Sequence, residues 1–214
     1  MFADRLASFG CAWGFLDLFV TDYGDGATIR TNCLYRNNGD GSFGRILTGS
    51  LANDSQLSSG SCAWADYDRD GFLDLFVTRY PEANLLYRNN GNGNSWVKIK
   101  LVGTLSNRSG IGTKVRVQAR IGGRTFWQMR EINTGYGAGV GPLEAHFGLG
   151  DATNIDAVRI EWPSGIVQTM TNVSPRQFLT IVEHQEGAFG TIAFTGIEAS
   201  TKELEINKSS ESVC

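Results

Sequence analysis

The amino-acid sequence predicts a mainly β protein, with two partial β-propeller-type blades followed by an antiparallel β-sandwich or barrel-like domain. Twenty-seven glycines and five tryptophans against three methionines in 214 residues favour strands and turns over helices. The first hundred residues contain an internal repeat, and the following ninety alternate apolar with polar positions. We therefore expect a repeat region at residues 1–94, a β domain at 95–185, and a polar tail or linker at 186–214.

The repeat is visible as three motifs that recur in the same order. Cys-Ala-Trp at 11–13 returns at 62–64, Phe-Leu-Asp-Leu-Phe-Val-Thr at 15–21 returns at 72–78, and Leu-Tyr-Arg-Asn-Asn-Gly at 34–39 returns at 86–91. A period of about fifty residues is typical of propeller blades. Residues 73–78 and 84–88 have strand character, and the Asn/Gly-rich residues 89–93 predict a tight hairpin. Two blades cannot close a ring, so we expect a fragment with further blades outside this chain.

The second repeat contains an acidic loop of composition Asp-Tyr-Asp-Arg-Asp-Gly-Phe-Leu-Asp at residues 66–74. Calcium takes six to eight oxygen ligands, and alternating carboxylates around a glycine turn converge on one point. The predicted ligands are the side chains of Asp66, Asp68, Asp70 and Asp74 and the carbonyl of Phe72. Position twelve of the loop is Val77, which excludes an EF-hand. The first repeat retains only Asp17, so we expect a single calcium site.

Residues 63–77 together with Leu-Tyr-Arg-Asn-Asn-Gly at 86–91 resemble the FG-GAP or VCBS repeat of integrin-type β-propellers and of many secreted multidomain proteins. The resemblance implies a bladed propeller with calcium held in hairpin loops between strands. It implies the same ligands: Asp66, Asp68, Asp70, the Phe72 carbonyl and Asp74.

From Ser95 onward the segments in which apolar and polar residues alternate become longer. Val97, Ile99 and Leu101 alternate with Lys98 and Lys100, which predicts one apolar and one solvated face. Residues 115–121 repeat the pattern, Gly-Gly at 122–123 predicts a two-residue hairpin, and Pro-Ser-Gly at 163–165 predicts another turn. We expect a compact antiparallel sandwich or barrel.

This half of the chain resembles the ASPIC/UnbV domain, which follows such repeats in the cartilage acidic protein family. The motifs are Ser-Asn-Arg-Ser-Gly-Ile-Gly at 106–112, Gly-Tyr-Gly at 135–137, His-Phe-Gly-Leu-Gly at 146–150 and Glu-Trp-Pro-Ser-Gly at 161–165. The turn at 137–139 reads Gly-Ala-Gly, where the family places a polar Ser-Gln pair after the glycine. The resemblance implies no catalytic activity.

Several function classes are disfavoured by composition. A formal net charge of −3 argues against nucleic acid, and no run of eighteen apolar residues is present to span a membrane. The four cysteines lack CxxC spacing. His146 and His184 are the only histidines, and neither lies in a nucleophile motif. We expect His146 to fill a core or turn position and Trp127 a core position, with sugar stacking the alternative for Trp127.

The leading hypothesis is a non-enzymatic, calcium-binding recognition or adhesion module in an extracellular or periplasmic compartment, with a protein or glycan ligand. The alternative is an accessory part of a secreted carbohydrate-active enzyme or carbohydrate-binding protein whose active site lies elsewhere. Residues 1–6 lack the pattern of a secretory signal, so export needs a segment that this chain does not show.

Overall fold

The computed structural model describes residues 17–21, 31–38, 40–49, 51, 59–134 and 142–184. Within these ranges the chain forms thirteen strands and no helix, which confirms the mainly β prediction. The expected tail at 186–214 lies outside the described residues. The strands of the repeat region are β1 (Leu18–Val20), β2 (Cys33–Asn37), β3 (Phe43–Ile46), β4 (Ser59–Ala65), β5 (Asp74–Arg79) and β6 (Leu85–Tyr87).

Each repeat forms one three-stranded antiparallel sheet, ordered β1-β2-β3 and β4-β5-β6. In the first sheet Leu18 lies opposite Tyr35, and in the second Leu75 lies opposite Tyr87. These four residues occupy equivalent positions in the repeated motifs. The strand register therefore reproduces the alignment of the two repeats.

The two sheets share one apolar cluster, which contains Phe19 and Leu34 of the first and Cys62, Leu75 and Val77 of the second. In the second repeat the counterparts of Phe19 and Leu34 are Phe76 and Leu86.

These counterparts lie on the opposite face of β5 and β6 from the shared cluster. Phe76 is 41% exposed and Leu86 is 52% exposed. The second blade therefore presents an apolar face at the position where the first blade contacts its neighbour.

The prediction of a hairpin at residues 89–93 is wrong. In the first repeat the corresponding segment does connect β2 to β3, with the Asn38 amide donating to the Ser42 carbonyl. In the second repeat it leads instead from β6 into a strand of another sheet. The side chains of Asn89 and Asn92 accept hydrogen bonds from the amides of Gly91 and Asn94, so the Asn residues stabilise local turns in this connection.

The second half forms a two-layer sandwich. Its strands are β7 (Ser95–Val102), β8 (Lys114–Ile121), β9 (Arg124–Glu131), β10 (Glu144–Gly150), β11 (Ile155–Glu161), β12 (Val167–Val173) and β13 (Gln177–Val182). One sheet has the order β10-β7-β13 and the other β12-β11-β8-β9. Residues such as Val97, Val117, Phe147 and Val158 are fully buried between the two layers.

Both predicted turns of the sandwich are confirmed. Gly122 and Gly123 have φ values of 56° and 78° and connect β8 to β9, and the Gly165 amide closes the turn between β11 and β12 on the Trp162 carbonyl. The antiparallel sandwich is confirmed, with one exception: β13 pairs with β7 in parallel. The expected core position of Trp127 is also wrong, since its side chain lies on the outer face of the edge strand β9 with 45% exposure.

The acidic loop covers part of the outer face of the β10-β7-β13 sheet. Lys98 is only 8% exposed, which corrects the prediction of a solvated position there, whereas Lys100 on the same face is exposed as predicted. Trp96 packs against Gly71 so closely that a Cβ at Gly71 would lie 1.8 Å from the indole ring. His146 Nε2 lies 3.0 Å from the Gly71 carbonyl oxygen. The loop of the second blade therefore packs directly on the sandwich.

Glu183, which is 2% exposed, ties the end of β13 to two loops. Its carboxylate accepts hydrogen bonds from the amides of Thr104, Leu105 and Ser106 and from the hydroxyls of Ser106 and Ser164. Desolvation raises the pKa of Glu183, but the hydrogen bonds from Ser164, Ser106 and Thr104 outweigh it and bring the pKa to about 2.

The register of the second blade predicts opposite outcomes for neighbouring apolar residues. Val77→Ala removes methyl groups from a fully buried position and should lower the free energy of unfolding by about 2 kcal/mol. Phe76→Ala removes a larger side chain from the open face and should cost less than about 1 kcal/mol. Urea denaturation of the two variants measures the difference, and a larger cost for Phe76→Ala would contradict the assigned faces.

Because Gly71 packs on Trp96, replacing it with alanine should destabilise the fold more than the unfavourable backbone conformation alone would. Gly71 and Gly123 both have positive φ, but of the two only Gly71 has atoms within 4 Å of the place that a Cβ would occupy. Gly123→Ala should cost about 1 kcal/mol of unfolding free energy, and Gly71→Ala about 3 kcal/mol, because its Cβ also overlaps the Trp96 ring. Equal losses in thermal denaturation would show that the loop does not pack on the indole ring.

The lowered pKa of Glu183 predicts an acid-dependent loss of stability. The carboxylate has an ordinary pKa of 4.5 and a folded-state pKa of about 2, so its contribution is complete above about pH 4.5 and is lost as the pH falls to about 2. Glu183→Gln should cost about 3 kcal/mol at neutral pH and flatten the pH dependence in that window. Urea denaturation across this window tests both effects, with the exposed Asp156→Asn as control. An unchanged pH profile in Glu183→Gln would contradict the assignment.

Candidate metal centre

The acidic loop connects β4 to β5 in the second blade. Ala65 and Asp74 lie opposite each other at the last pair of the hairpin, so the intervening residues form a closed loop. Arg69 and Gly71 have φ values of 60° and 91°, which turn the backbone sharply. The strand ends therefore fix both sides of the loop, and the two left-handed residues fold it back on itself.

The loop brings three of the four predicted carboxylates together. One oxygen each of Asp66, Asp68 and Asp74 lies within 4.8 Å of the others, with Asp66 and Asp74 buried and Asp68 exposed. Asp70 is not part of this group. Three oxygen atoms at this spacing form a donor set of the kind that a hard divalent cation requires.

Asp66 has the fewest hydrogen bonds of these three carboxylates. Neither of its carboxylate oxygens has a hydrogen-bond partner, and the residue is 6% exposed. Lys98 Nζ lies 3.6 Å from Oδ2 of Asp66 and 2.9 Å from Oε2 of Glu144. The ammonium group is thus bonded to Glu144, and only its charge reaches Asp66.

Asp74 has a different environment, because its two oxygens accept the amides of Asn89 and Tyr67 at 2.8 and 3.1 Å. The equivalent Asp17 accepts the amide of Asn37 at 3.1 Å. This bond links neighbouring segments in both blades, including the blade whose repeat lacks the other acids. The bond gives Asp17 a structural role in the first blade that requires no metal.

Asp68 and Asp70 contact Arg88 on the exposed side of the loop. The Nε and NH2 groups of Arg88 lie 2.6 Å from Asp68 Oδ2 and 3.4 Å from Asp70 Oδ2. The hydrogen bond that Arg88 donates to Asp68, together with the negative charge of Asp68, raises the pKa of Arg88. Asp70 also accepts the Phe72 amide at 2.9 Å, which braces the turn. The role of the Phe72 carbonyl as a ligand stays a prediction.

The sequence did not identify the basic and acidic residues around the loop. Arg88 belongs to the repeated Leu-Tyr-Arg motif, which offered a signal that repeat analysis could have used. Lys98 and Glu144 come from β7 and β10 and carry no local signal, because their position beside the loop depends on how the blade packs on the sandwich.

His146 lies where the loop meets the sandwich, as expected for a residue with a packing role. Its ring is stacked on Trp96 with centroids 6.5 Å apart. Burial lowers the pKa of His146, so the imidazole is neutral at physiological pH. His184 Nδ1 lies 2.6 Å from Gln168 Nε2, and the Gln168 amide in turn reaches the indole NH of Trp162 through its oxygen.

Comparison with known families agrees with this architecture. Residues 14–77 match the model of the FG-GAP-like repeat, and residues 103–188 match the model of the ASPIC and UnbV domain. A comparison with curated proteins found no significant match. No helix in the described ranges has the length and hydropathy needed to cross a bilayer. The two matched families thus correspond to the bladed part and the sandwich part, and the chain carries an FG-GAP-like repeat followed by an ASPIC/UnbV domain.

Proposed function

We propose that this chain is a non-enzymatic, calcium-binding recognition module of an extracellular or periplasmic protein. The observation that carries the proposal is the buried carboxylate of Asp66, which has no hydrogen bond and lies beside Asp68 and Asp74. Burying a carboxylate that accepts no hydrogen bond is costly even with the Lys98 ammonium 3.6 Å away, and a bound divalent cation offsets that cost. FG-GAP repeats hold calcium in loops of this kind, which supports the choice of ion.

Calcium fits the donor set better than magnesium. The proposed ligands are the side chains of Asp66, Asp68 and Asp74, which the loop brings together. The Phe72 carbonyl and Asp70 are proposed as further ligands from the spacing of the loop. Calcium accepts such irregular sets of protein oxygens, whereas magnesium retains several waters and binds few carboxylates. Arg88 competes for Asp68 and Asp70, and Lys98 partly neutralises Asp66. Both effects favour the modest affinity of extracellular modules, about 10⁻⁴–10⁻³ M.

The contacts of the histidines support the non-enzymatic assignment. His146 bonds a backbone carbonyl and is held neutral by burial, and His184 bonds a glutamine side chain. General-base catalysis requires a histidine within hydrogen-bond reach of a nucleophile. Neither histidine has a hydroxyl or thiol among its described contacts.

The thiol chemistry is compatible with an oxidising compartment. Cys62 is 5% exposed, and burial raises the pKa of its thiol to about 11. A buried thiol with a raised pKa is unreactive, because the thiolate is the species that exchanges with disulfides. FG-GAP repeats are typical of extracellular and periplasmic proteins, which gives the proposed location.

The partner of the module is a protein or glycan, and further blades complete the propeller. The open face formed by Phe76 and Leu86 supports this second point. The first blade uses the same two positions, Phe19 and Leu34, to contact its neighbour. A third blade seated on Phe76 and Leu86 would bury apolar area in the same way.

The calcium proposal predicts one ion per chain and a modest gain in stability. Millimolar calcium should add about 1 kcal/mol and raise the melting temperature by about 2–4 °C. Asp66→Asn removes the charge with little change of shape and should abolish binding. Asp17→Asn, at the equivalent of Asp74 in the first repeat, should bind calcium like the parent protein.

Isothermal titration and scanning calorimetry with calcium and with EDTA measure these effects. Two equivalent sites in the parent protein, or loss of binding in Asp17→Asn alone, would place the ion elsewhere. Identical melting curves in calcium and EDTA, together with no titration signal, would overturn the proposal.

A further inference from the structure

A second feature beside the acidic loop is a cavity of about 730 Å³ between the loop and the sandwich. Its floor is the outer face of the β10-β7-β13 sheet, where Lys98, Lys100, Glu144 and Phe178 occupy neighbouring register positions. Arg69 of the acidic loop and Arg108, from the segment between β7 and β8, complete its charged lining. A cavity of this volume accommodates a small-molecule ligand.

The charges of the lining are unbalanced. Four cationic side chains face two carboxylates, those of Asp66 and Glu144. Both carboxylates are within reach of the Lys98 ammonium, at 3.6 and 2.9 Å. The remaining three cations, Arg69, Lys100 and Arg108, have no ion pair among the described residues. The cavity is therefore a positive region on a protein whose formal net charge is −3.

Local contacts explain why Arg69 lies at the cavity wall and why Lys100 has no ion pair. The guanidinium of Arg69 lies 5.3 Å above the Phe178 ring, so a cation–π contact holds it against the cavity wall. Arg69 itself has a positive φ of 60°, a backbone conformation uncommon for a residue with a side chain. Lys100 lies opposite Glu144 in the strand register, but Glu144 is already bonded to the ammonium of Lys98.

We propose that this cavity binds the carboxylate or sulfate group of a small acidic ligand, of the size of a sugar acid or a sulfated disaccharide. Arg69, Lys100 and Arg108 supply the unpaired positive charge, and guanidinium groups pair with such anions in a bidentate manner. Beneath them, Lys98 is bonded to Glu144 and lies 3.6 Å from Asp66, so these three groups together carry one negative charge against the three unpaired positive charges. The confinement of the unpaired cations to one cavity and the negative net charge distinguish this site from an extended nucleic-acid surface.

The two proposals share Asp66, which lines the cavity and is a proposed calcium ligand, but none of the three unpaired cations is a proposed calcium ligand. Binding is therefore measured in EDTA, by isothermal titration at low ionic strength. The probes are inorganic sulfate, glucuronate and a sulfated disaccharide derived from heparin. Loss of calcium binding with retained anion binding would refute only the first proposal, and the reverse result would refute only the second.

Charge-removing variants locate the binding site. Lys100→Gln and Arg108→Gln should each weaken binding by about tenfold, because each removes one charge-assisted contact. The matched control is Arg124→Gln, an exposed cation at the β8–β9 hairpin outside the cavity, which should change affinity by less than about twofold. Thermal denaturation verifies that each variant folds, since Lys100 and Arg108 are exposed.

The probes also identify the source of the anionic group. Tighter binding of the disaccharide or glucuronate than of sulfate supports a sugar ligand, and comparable binding of all three supports a site for the anionic group alone. The proposal is overturned if no probe binds at concentrations up to about 10 mM, which exceeds the range of a useful site. It is equally overturned if Arg124→Gln weakens binding as much as the two cavity variants.

Discussion

The contact between the acidic loop and the outer face of the β10-β7-β13 sheet determines the arrangement of the whole molecule. Gly71 permits this contact, because any side chain there would occupy the space of the Trp96 ring. The same contact buries Asp66 and brings Lys98 beside it. Burial is what makes an unbonded carboxylate costly and a bound cation favourable. The candidate metal centre is therefore part of the interface between the second blade and the sandwich.

The sequence predicted the local parts of this structure well. The repeat alignment identified equivalent strands in the two blades, and equivalent residues pair in both, because pairing within a blade involves segments that are close in sequence. The glycine pair at 122–123 gave its hairpin, since two residues of positive φ match the twist of the flanking strands. The spacing of Asp66, Asp68 and Asp74 gave three carboxylates that the folded loop brings within 4.8 Å.

The parts that the sequence did not predict depend on long-range packing. Lys98 has the alternation of a solvated residue, but the loop of another domain covers it. The residues 89–93 have hairpin composition, yet the next strand joins a different sheet, and no local pattern specifies that choice. Arg88, which the fold places across the loop, contacts Asp68 and Asp70 on the outer side, and no local pattern specifies that contact. In each case the residue or strand that determines the observed contact lies far away in sequence.

The two repeats separate the structural use of an aspartate from its proposed use as a ligand. Asp17 and Asp74 both accept a backbone amide from the neighbouring segment, so this position is required by the blade itself. The remaining acids occur only in the repeat whose loop packs on the sandwich. Because Asp66 contributes both to the carboxylate group and to the contact with Lys98, a cation bound there changes the free energy of that contact. By linkage, the packing of the blade on the sandwich changes the affinity for the cation by the same factor.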